Sequence, residues 1–288
     1  MATNNVLDAV LAQYENAKQG GSSSTAKFTQ EERMKKYFAA ILKDNEKQGQ
    51  KRLRILPTPD GSSPFKEVWF HEIQVDGKWQ KFYDPGKNDN ERSPLSEVYD
   101  VLMSTGRDSD KELAKQYKPR KFYIVKVIDR DNESDGVKFW RFKHNYKNEG
   151  ILDKIIPIWR AKGDITDATT GRDIILELTK AKTPKGAFYT VIQTVMYEDA
   201  GSVHEDEETM TSWIEDELTW EDVYSKKATE YLEAIARGET PRWDSDAGKY
   251  IYSNTSEEEI SMGGGKTKTE TKVEDPQSND EIDEELPF

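Results

Sequence analysis

The chain's 288 residues are 34% hydrophobic and 34% charged, with a formal net charge of −13 at pH 7; this is enough apolar sequence for one moderate core but too much polar sequence to be compact throughout. There is no cysteine, and the three histidines, His71, His144 and His204, are scattered, which excludes a disulfide frame and a cysteine nucleophile and leaves metals and cofactors without a visible ligand set. The charge is split: residues 27–147 hold 26 Lys+Arg against 20 Asp+Glu, whereas residues 199–288 hold 8 against 26, so a basic body precedes an acidic end.

Residues 5–18 place Val6, Leu7, Val10, Leu11 and Tyr14 at helical spacing and predict a short amphipathic helix. Gly20 to Ser24 then reads as a flexible link, making residues 1–26 an arm rather than part of the core. Short apolar runs that suit strands follow at 52–56, 67–75, 78–84 and 121–129. Asp76-Gly77, between the second and third, is a two-residue hairpin signal. Ser93 as N-cap and Pro94 in the first turn open a helix with Leu95, Val98, Tyr99 and Leu102 on one face and Gly106 beyond its end.

Asp135-Gly136 turns the strand at 121–129 into another at 137–145, and the run 151–159 predicts a short helix stopped at Pro157. Strands at 173–182 and 187–197 are joined by the turn Thr183-Pro184-Lys185-Gly186. Helices at 209–218 and 220–237 complete the body, the second with Thr219 as N-cap and Asp222 three residues on. After about Lys249 all periodicity is lost, and residues 250–288 are expected to form a disordered acidic tail. The pattern predicts an α+β chain: an OB-fold β-barrel core over residues 27–249 with inserted and C-terminal helices, a β-sandwich being the competitor on pattern alone. No stretch is of membrane-span length, and Met1–Gly20 lacks the basic start and apolar run of a signal peptide. A soluble intracellular chain with no membrane partner is therefore expected.

The strands of the basic body interleave cations with rings. The residues that carry this pattern are Arg52 and Arg54; Trp69; Lys78, Trp79, Lys81 and Tyr83; Arg120, Lys121 and Tyr123; Trp140 and Arg141; and Lys185, Phe188 and Tyr189. Single-stranded DNA calls for both residue types, because cations neutralise phosphates while exposed rings stack on bases at about 1–3 kcal/mol each. Adjacent ring residues on a strand point to opposite faces, so only about half can face a ligand and the others must be core. For any single ring a core place is the simpler reading. The set is more specific, since Lys81 with Tyr83, Lys121 with Tyr123, and Arg141 with Phe139 pair a cation and a ring two residues apart on one pleat face. A surface for acidic proteins would share this pattern.

Strings with a catalytic look lack the parts that chemistry needs. GGGKTK at 263–268 has Ile260 where the leading glycine of a phosphate loop must stand, and it follows no strand. DRDNESDG at 129–136 has Ser134 in the place of a calcium loop's glycine and no bidentate Glu at its end. The carboxylates Glu205 to Glu208 have no basic partner to split their pKa values. No enzyme is expected. At the C-terminus, Asp283, Glu284 and Glu285 precede Leu286, Pro287 and Phe288, an acidic strand tipped by an apolar ring that suits a basic-rimmed pocket on a partner.

The order of segments resembles the T-even phage single-stranded-DNA-binding, or helix-destabilising, protein family. The landmarks are KRLRILPTPDGSSPFKEVWFHEIQVDGKWQKFYD at 51–84, KFYIVKVIDRDNESDGVKFWRF at 121–142, ILDKI at 151–155 and DIILELTKAKTPKGAFYTV at 173–191, covering most of residues 33–240. The resemblance implies an OB-fold cleft for single-stranded DNA and, at the cleft, Arg52, Arg54, Trp79, Tyr83, Tyr123, Trp140, Phe188 and Tyr189. It also implies an N-terminal arm for self-association on DNA, and an acidic C-terminal region that recruits replication or recombination proteins in the cytoplasm of an infected bacterial host. The terminal Leu286-Pro287-Phe288 is similar to the tail tip of bacterial single-stranded-DNA-binding proteins.

Two features depart from that family. Its structural zinc site uses cysteines and a histidine after the DGKW strand, and FYDPGKNDNERSPLSEVYD contains neither, so no metal is expected and packing of the helix after Ser93-Pro94 is expected to stand in for it. Its basic arm motif is not evident in Met1–Gly20, which leaves cooperativity open, and Ser22–Lys27 with Lys35 and Lys36 is the candidate substitute. The competing function class is an acidic interaction scaffold or DNA mimic that binds basic partners, which the acidic end favours.

Overall fold

The computed structural model describes residues 30–254 apart from 148, 184, 185, 225 and 245–248. Helix α1 (Gln30–Lys35) leads into β1 (Tyr37–Phe38), β2 (Gln48–Ile55), β3 (Lys66–Val75) and β4 (Lys78–Tyr83). Three helices then intervene, α2 (Pro85–Asp89), α3 (Pro94–Ser104) and α4 (Asp108–Tyr117), before β5 (Arg120–Asp129) and β6 (Val137–Lys143). Next come α5 (Ile151–Lys162), β7 (Arg172–Lys182), β8 (Phe188–Ala200), α6 (Glu207–Ile214), α7 (Trp220–Val223), α8 (Thr229–Ala236), β9 (Glu239–Asp244) and β10 (Lys249–Asn254). The architecture is mixed α/β with a largely open eight-stranded sheet, in the order β1-β6-β5-β2-β7-β8 with the β3–β4 hairpin branching from β5. None of the described helices is long and apolar enough to cross a membrane.

Strand β5 is the pivot. One edge pairs with β6 from Phe122↔Lys143 to Ile128↔Val137. Its other edge is divided, the first half pairing with β3 (Arg120↔Phe70 to Ile124↔Lys66) and the end with β2 (Val127↔Ile55 to Asp129↔Leu53). Because side chains alternate across a strand, Val125, Val127 and Trp140 join Leu53, Ile55, Ile174 and Leu176 in one core, closed by Ile155 and Ile158 of α5. Phe122, Ile124, Phe139, Val68 and Phe70 form a second core on the opposite face, covered by Val223 and Tyr224. Each such side chain contributes roughly 1.5–3 kcal/mol by leaving water.

The predicted strands all form, with Asp76 (φ 50°) and Gly77 (φ 82°) in the double positive-φ turn that matches strand twist. Several boundaries differ. Helix α5 does not stop at Pro157 but runs five residues further; Pro157 is exposed, so the Asp153 carbonyl that loses its intrahelical partner can meet water while Ile155 and Ile158 hold the helix to the core. The single helix expected at 220–237 is two, α7 and α8, separated at 224–228, where Tyr224 turns inward to the second core. The chain beyond Lys249 is not wholly without structure, since β10 pairs with β9 through Asn254. The amphipathic helix at 5–18 and residues 255–288 lie outside the described residues.

The α2–α4 insertion is fastened in two ways. Leu95 is fully buried with Ile73, Phe82, Tyr231, Leu232 and Ile235, the packing expected of the helix after Ser93-Pro94. A buried polar cluster lies beside it: His71 Nε2 is 3.4 Å from Asp84 Oδ1, and the Ser96 hydroxyl donates to the same carboxylate at 3.3 Å. One imidazole, one carboxylate and one serine hydroxyl are too few strong donors for a tetrahedral zinc.

Candidate nucleic-acid interface

The face of β5 that carries Val125 into the core grades outward through Tyr123 to Lys121, both half-buried. Register places Trp69 of β3 opposite Lys121 and Phe142 of β6 opposite Tyr123. The Lys121 ammonium lies 5.5 Å from the centre of the Trp69 ring, and Lys87 of α2 lies 6.0 Å from it. Beyond β6, His144 donates its backbone N–H to the Lys121 carbonyl at 2.9 Å. Its imidazole Nδ1 is 3.2 Å from the Tyr123 hydroxyl, and its ring meets Tyr146 edge-on at 4.3 Å. The result is a continuous stripe from Lys87 to Tyr146 in which two lysines flank the Trp69 ring and three rings follow. Glu67, hydrogen-bonded to Lys121 at 2.8 Å, holds that ammonium's pKa above its usual value. Burial, with Glu67 nearby, likewise raises the Tyr123 phenol, so at neutral pH the stripe presents a Lys121–Glu67 ion pair and an uncharged ring.

Tyr146 is also the rim of a cavity of about 640 Å³ between the β6–α5 loop and the β7–β8 hairpin. Its floor is apolar, formed by Phe38, Trp140 and Phe142, and Arg141, Lys143, Lys147 and Lys154 line it with a single carboxylate, Glu149. Tyr189 forms the far wall. That wall is tied down: the Thr190 hydroxyl accepts from the Leu42 N–H at 3.1 Å, and the Lys154 ammonium donates to the carbonyls of Ile192 (2.6 Å) and Gln193 (3.0 Å). The Arg141 guanidinium lies against the rings of Tyr224 (4.6 Å), Phe70 (5.3 Å) and Phe122 (5.9 Å). Cations held over ring faces and a dry floor give such a groove affinity for both flat aromatic and anionic groups.

Of the residues singled out from the sequence, Trp69, Lys121 and Tyr123 meet on the stripe, and Trp140, Arg141 and Tyr189 line the cavity. Phe188, beside Tyr189, is 67% exposed. Others have different roles. Arg54, only 1% exposed, donates to the carbonyls of Asp167 (2.9 Å) and Gly201 (2.8 Å) and pairs with Asp173 at 3.3 Å; a guanidinium so enclosed is a structural tie and does not reach a phosphate. Arg52 pairs with Glu198 at 3.3 Å on the outer part of β2. Buried Glu72 collects Arg120 at 3.0 Å and Lys143, and it faces buried Lys81 across the β3–β4 ladder.

Tyr83 is buried, donates to the Asp89 carboxylate at 2.8 Å and stacks on Trp220, so it offers no face to a base. Trp140 is likewise buried and serves as floor. Trp79 is 48% exposed, but it and Lys78 occupy the tip of the β3–β4 hairpin, five residues along the strand from Trp69, about 17 Å at the rise of a strand. Of the three same-face pairs read from the sequence, only Lys121 with Tyr123 reaches the stripe. Lys185, and Asp283, Glu284, Glu285, Leu286, Pro287 and Phe288, lie outside the described residues.

Sequence reasoning missed Lys87, Lys143, His144, Tyr146, Lys147 and Lys154. The available signal was the run His144-Asn145-Tyr146-Lys147 leaving a strand, two rings and a cation at a point where β periodicity ends. Among the described residues no three His, Asp or Glu side chains converge as a metal site. No family model and no curated protein sequence matches the chain.

Proposed function

We propose that the chain binds single-stranded DNA without sequence preference, as a non-enzymatic coat. The observation that carries this reading is the continuity of the ring-and-cation stripe, Lys87–Trp69–Lys121–Tyr123–His144–Tyr146, with the basic-lined cavity. Ring faces accept any base, and Lys87, Lys121, Lys147 and Lys154 supply positive charge along a path that a sugar–phosphate backbone can follow. A duplex keeps its base faces stacked inside and has none to offer Tyr146 or Tyr189; an unpaired strand does. In this reading the sheet pivoting on β5, with α5 closing one end, is an OB-like barrel left partly open. The acidic C-terminal residues, ending in Leu286-Pro287-Phe288, recruit partner proteins of replication or recombination.

The test is a titration of fluorescein-labelled oligo-thymidine followed by anisotropy at several salt concentrations. Binding that weakens steeply with salt, together with quenched tryptophan fluorescence, is expected. Absence of both at low salt would leave the acidic scaffold as the better reading.

A further inference from the structure

The regular β3–β4 ladder ends at Phe70↔Tyr83, yet the backbone of the next residue, Trp69, is fully paired. Its carbonyl accepts from the Asp84 N–H at 3.0 Å and from the Asn88 side-chain amide, Nδ2, at 2.8 Å. Its N–H donates to Asn88 Oδ1 at 2.9 Å. Asn88 thus uses its amide as a neighbouring strand would use a peptide, and the same Nδ2 donates to the Asp84 carbonyl at 2.8 Å. The residue before it, Lys87, places its ammonium 6.0 Å from the centre of the Trp69 ring.

Helix α2 has only five residues, too few to persist without tertiary support. Asp84 supplies that support at its N-cap, accepting from the Gly86 N–H at 3.1 Å. His71 and Ser96 hold the Asp84 carboxylate in turn, while His71 Nδ1, 2.7 Å from the Tyr117 carbonyl, ties the end of α4 to the same point. The buried cluster therefore fastens the whole insertion behind Trp69.

Resting on the single-stranded-DNA reading, we propose that Asn88 is a positioning residue: it fixes the Trp69 backbone from behind and carries Lys87 over the indole, so that the insertion sets one end of the binding track. It touches no DNA itself. Its effect on binding therefore passes through the Trp69 ring and the Lys87 ammonium held against that ring, which distinguishes it from a residue that only stabilises the fold.

The experiment is a double-mutant cycle on oligo-thymidine affinity in the full chain, with Tyr189→Ala at the opposite end of the track as a control of the underlying reading. Asn88→Ala removes the hydrogen bonds that hold the Trp69 backbone, so an affinity loss of about fivefold is expected. Trp69→Ala leaves the backbone that Asn88 holds but removes the ring, and in that background Asn88→Ala should change affinity by less than about twofold. Should Asn88→Ala not fold, Asn88→Asp keeps the acceptor for the Trp69 N–H, loses both donations and is expected to weaken binding in the same ring-dependent way. If the wild-type chain binds and Tyr189→Ala weakens it while Asn88→Ala does not, the positioning role is overturned and the reading stands. An equal loss with and without the Trp69 ring makes Asn88 merely structural. Failure of the wild-type chain to bind brings down both.

Discussion

Tyr123 and His144 meet where β5 and β6 leave the core, the phenol oxygen 3.2 Å from imidazole Nδ1. Neither residue is adjacent to the other in the ladder. Their contact closes the gap between the stripe on β3 and β5 and the cavity beyond β6, turning two patches into one track.

Tyr146 and Tyr189 face the cavity from opposite sides, and Tyr146 is 71% exposed. Stacking on a base contributes about 1–3 kcal/mol, so Tyr146→Ala and Tyr189→Ala should each weaken oligo-thymidine binding roughly 5- to 100-fold. Thermal unfolding should barely move, because exposed rings contribute little to the core. Loss of affinity accompanied by a matching loss of stability would instead make these rings structural.

Lys147 is exposed on the cavity rim. A lysine that neutralises one phosphate of a single strand contributes about 0.7 to the slope of log affinity against log salt. Lys147→Ala should lower the slope by about that amount and weaken binding most at low salt. An unchanged slope, measured by anisotropy from 50 to 300 mM salt (roughly the useful range), would remove Lys147 from the phosphate path.

Arg54 should behave in the opposite way. Burial pushes its guanidinium pKa down, against the opposing pull of Asp173, and three partners depend on its hydrogen bonds. Arg54→Ala leaves Asp173 to Arg130 alone and takes the guanidinium from the Asp167 and Gly201 carbonyls, so a loss of about 1–3 kcal/mol is expected from the urea midpoint. The fraction that remains folded should bind DNA with nearly wild-type affinity. A stable Arg54→Ala that fails to bind would show that the guanidinium acts on the ligand after all.

The Asp84 carboxyl is pushed up by burial, but the neighbouring His71 and Ser93 side chains outweigh this and hold it below the ordinary carboxylate range. Its folded pKa is thus lower than its unfolded value of about 3.9. The stabilisation is complete above that value and is lost as pH falls through the folded one. Asp84→Asn should therefore be less stable than wild type at pH 7, with the gap narrowing below about pH 4 as the wild-type carboxylate is protonated. Urea midpoints across this range decide it: a gap independent of pH would mean that the carboxylate charge plays no part in the fastening.

The local chemistry was legible in the chain alone. Asp76-Gly77 could take the double positive φ, Ser93 could cap α3 with Pro94 in its first turn, and the period-two runs could make only strands. Each of these depends on a few adjacent residues, and each was legible. Tertiary structure alone decided how the cations are used. Arg52 and Arg54 lie two residues apart on one strand, yet one reaches solvent and the other is enclosed, because the backbone carbonyls of Asp167 and Gly201 close over Arg54 while Arg52 meets a side chain, Glu198, that is itself part-exposed. The same holds for Pro157, whose helix survives because the sheet grips Ile155 and Ile158, and for His144 and Tyr146, which become a site only when the β7–β8 hairpin faces them. Turns and caps are satisfied by near neighbours; burial and ion pairing depend on whichever distant segments the fold brings together.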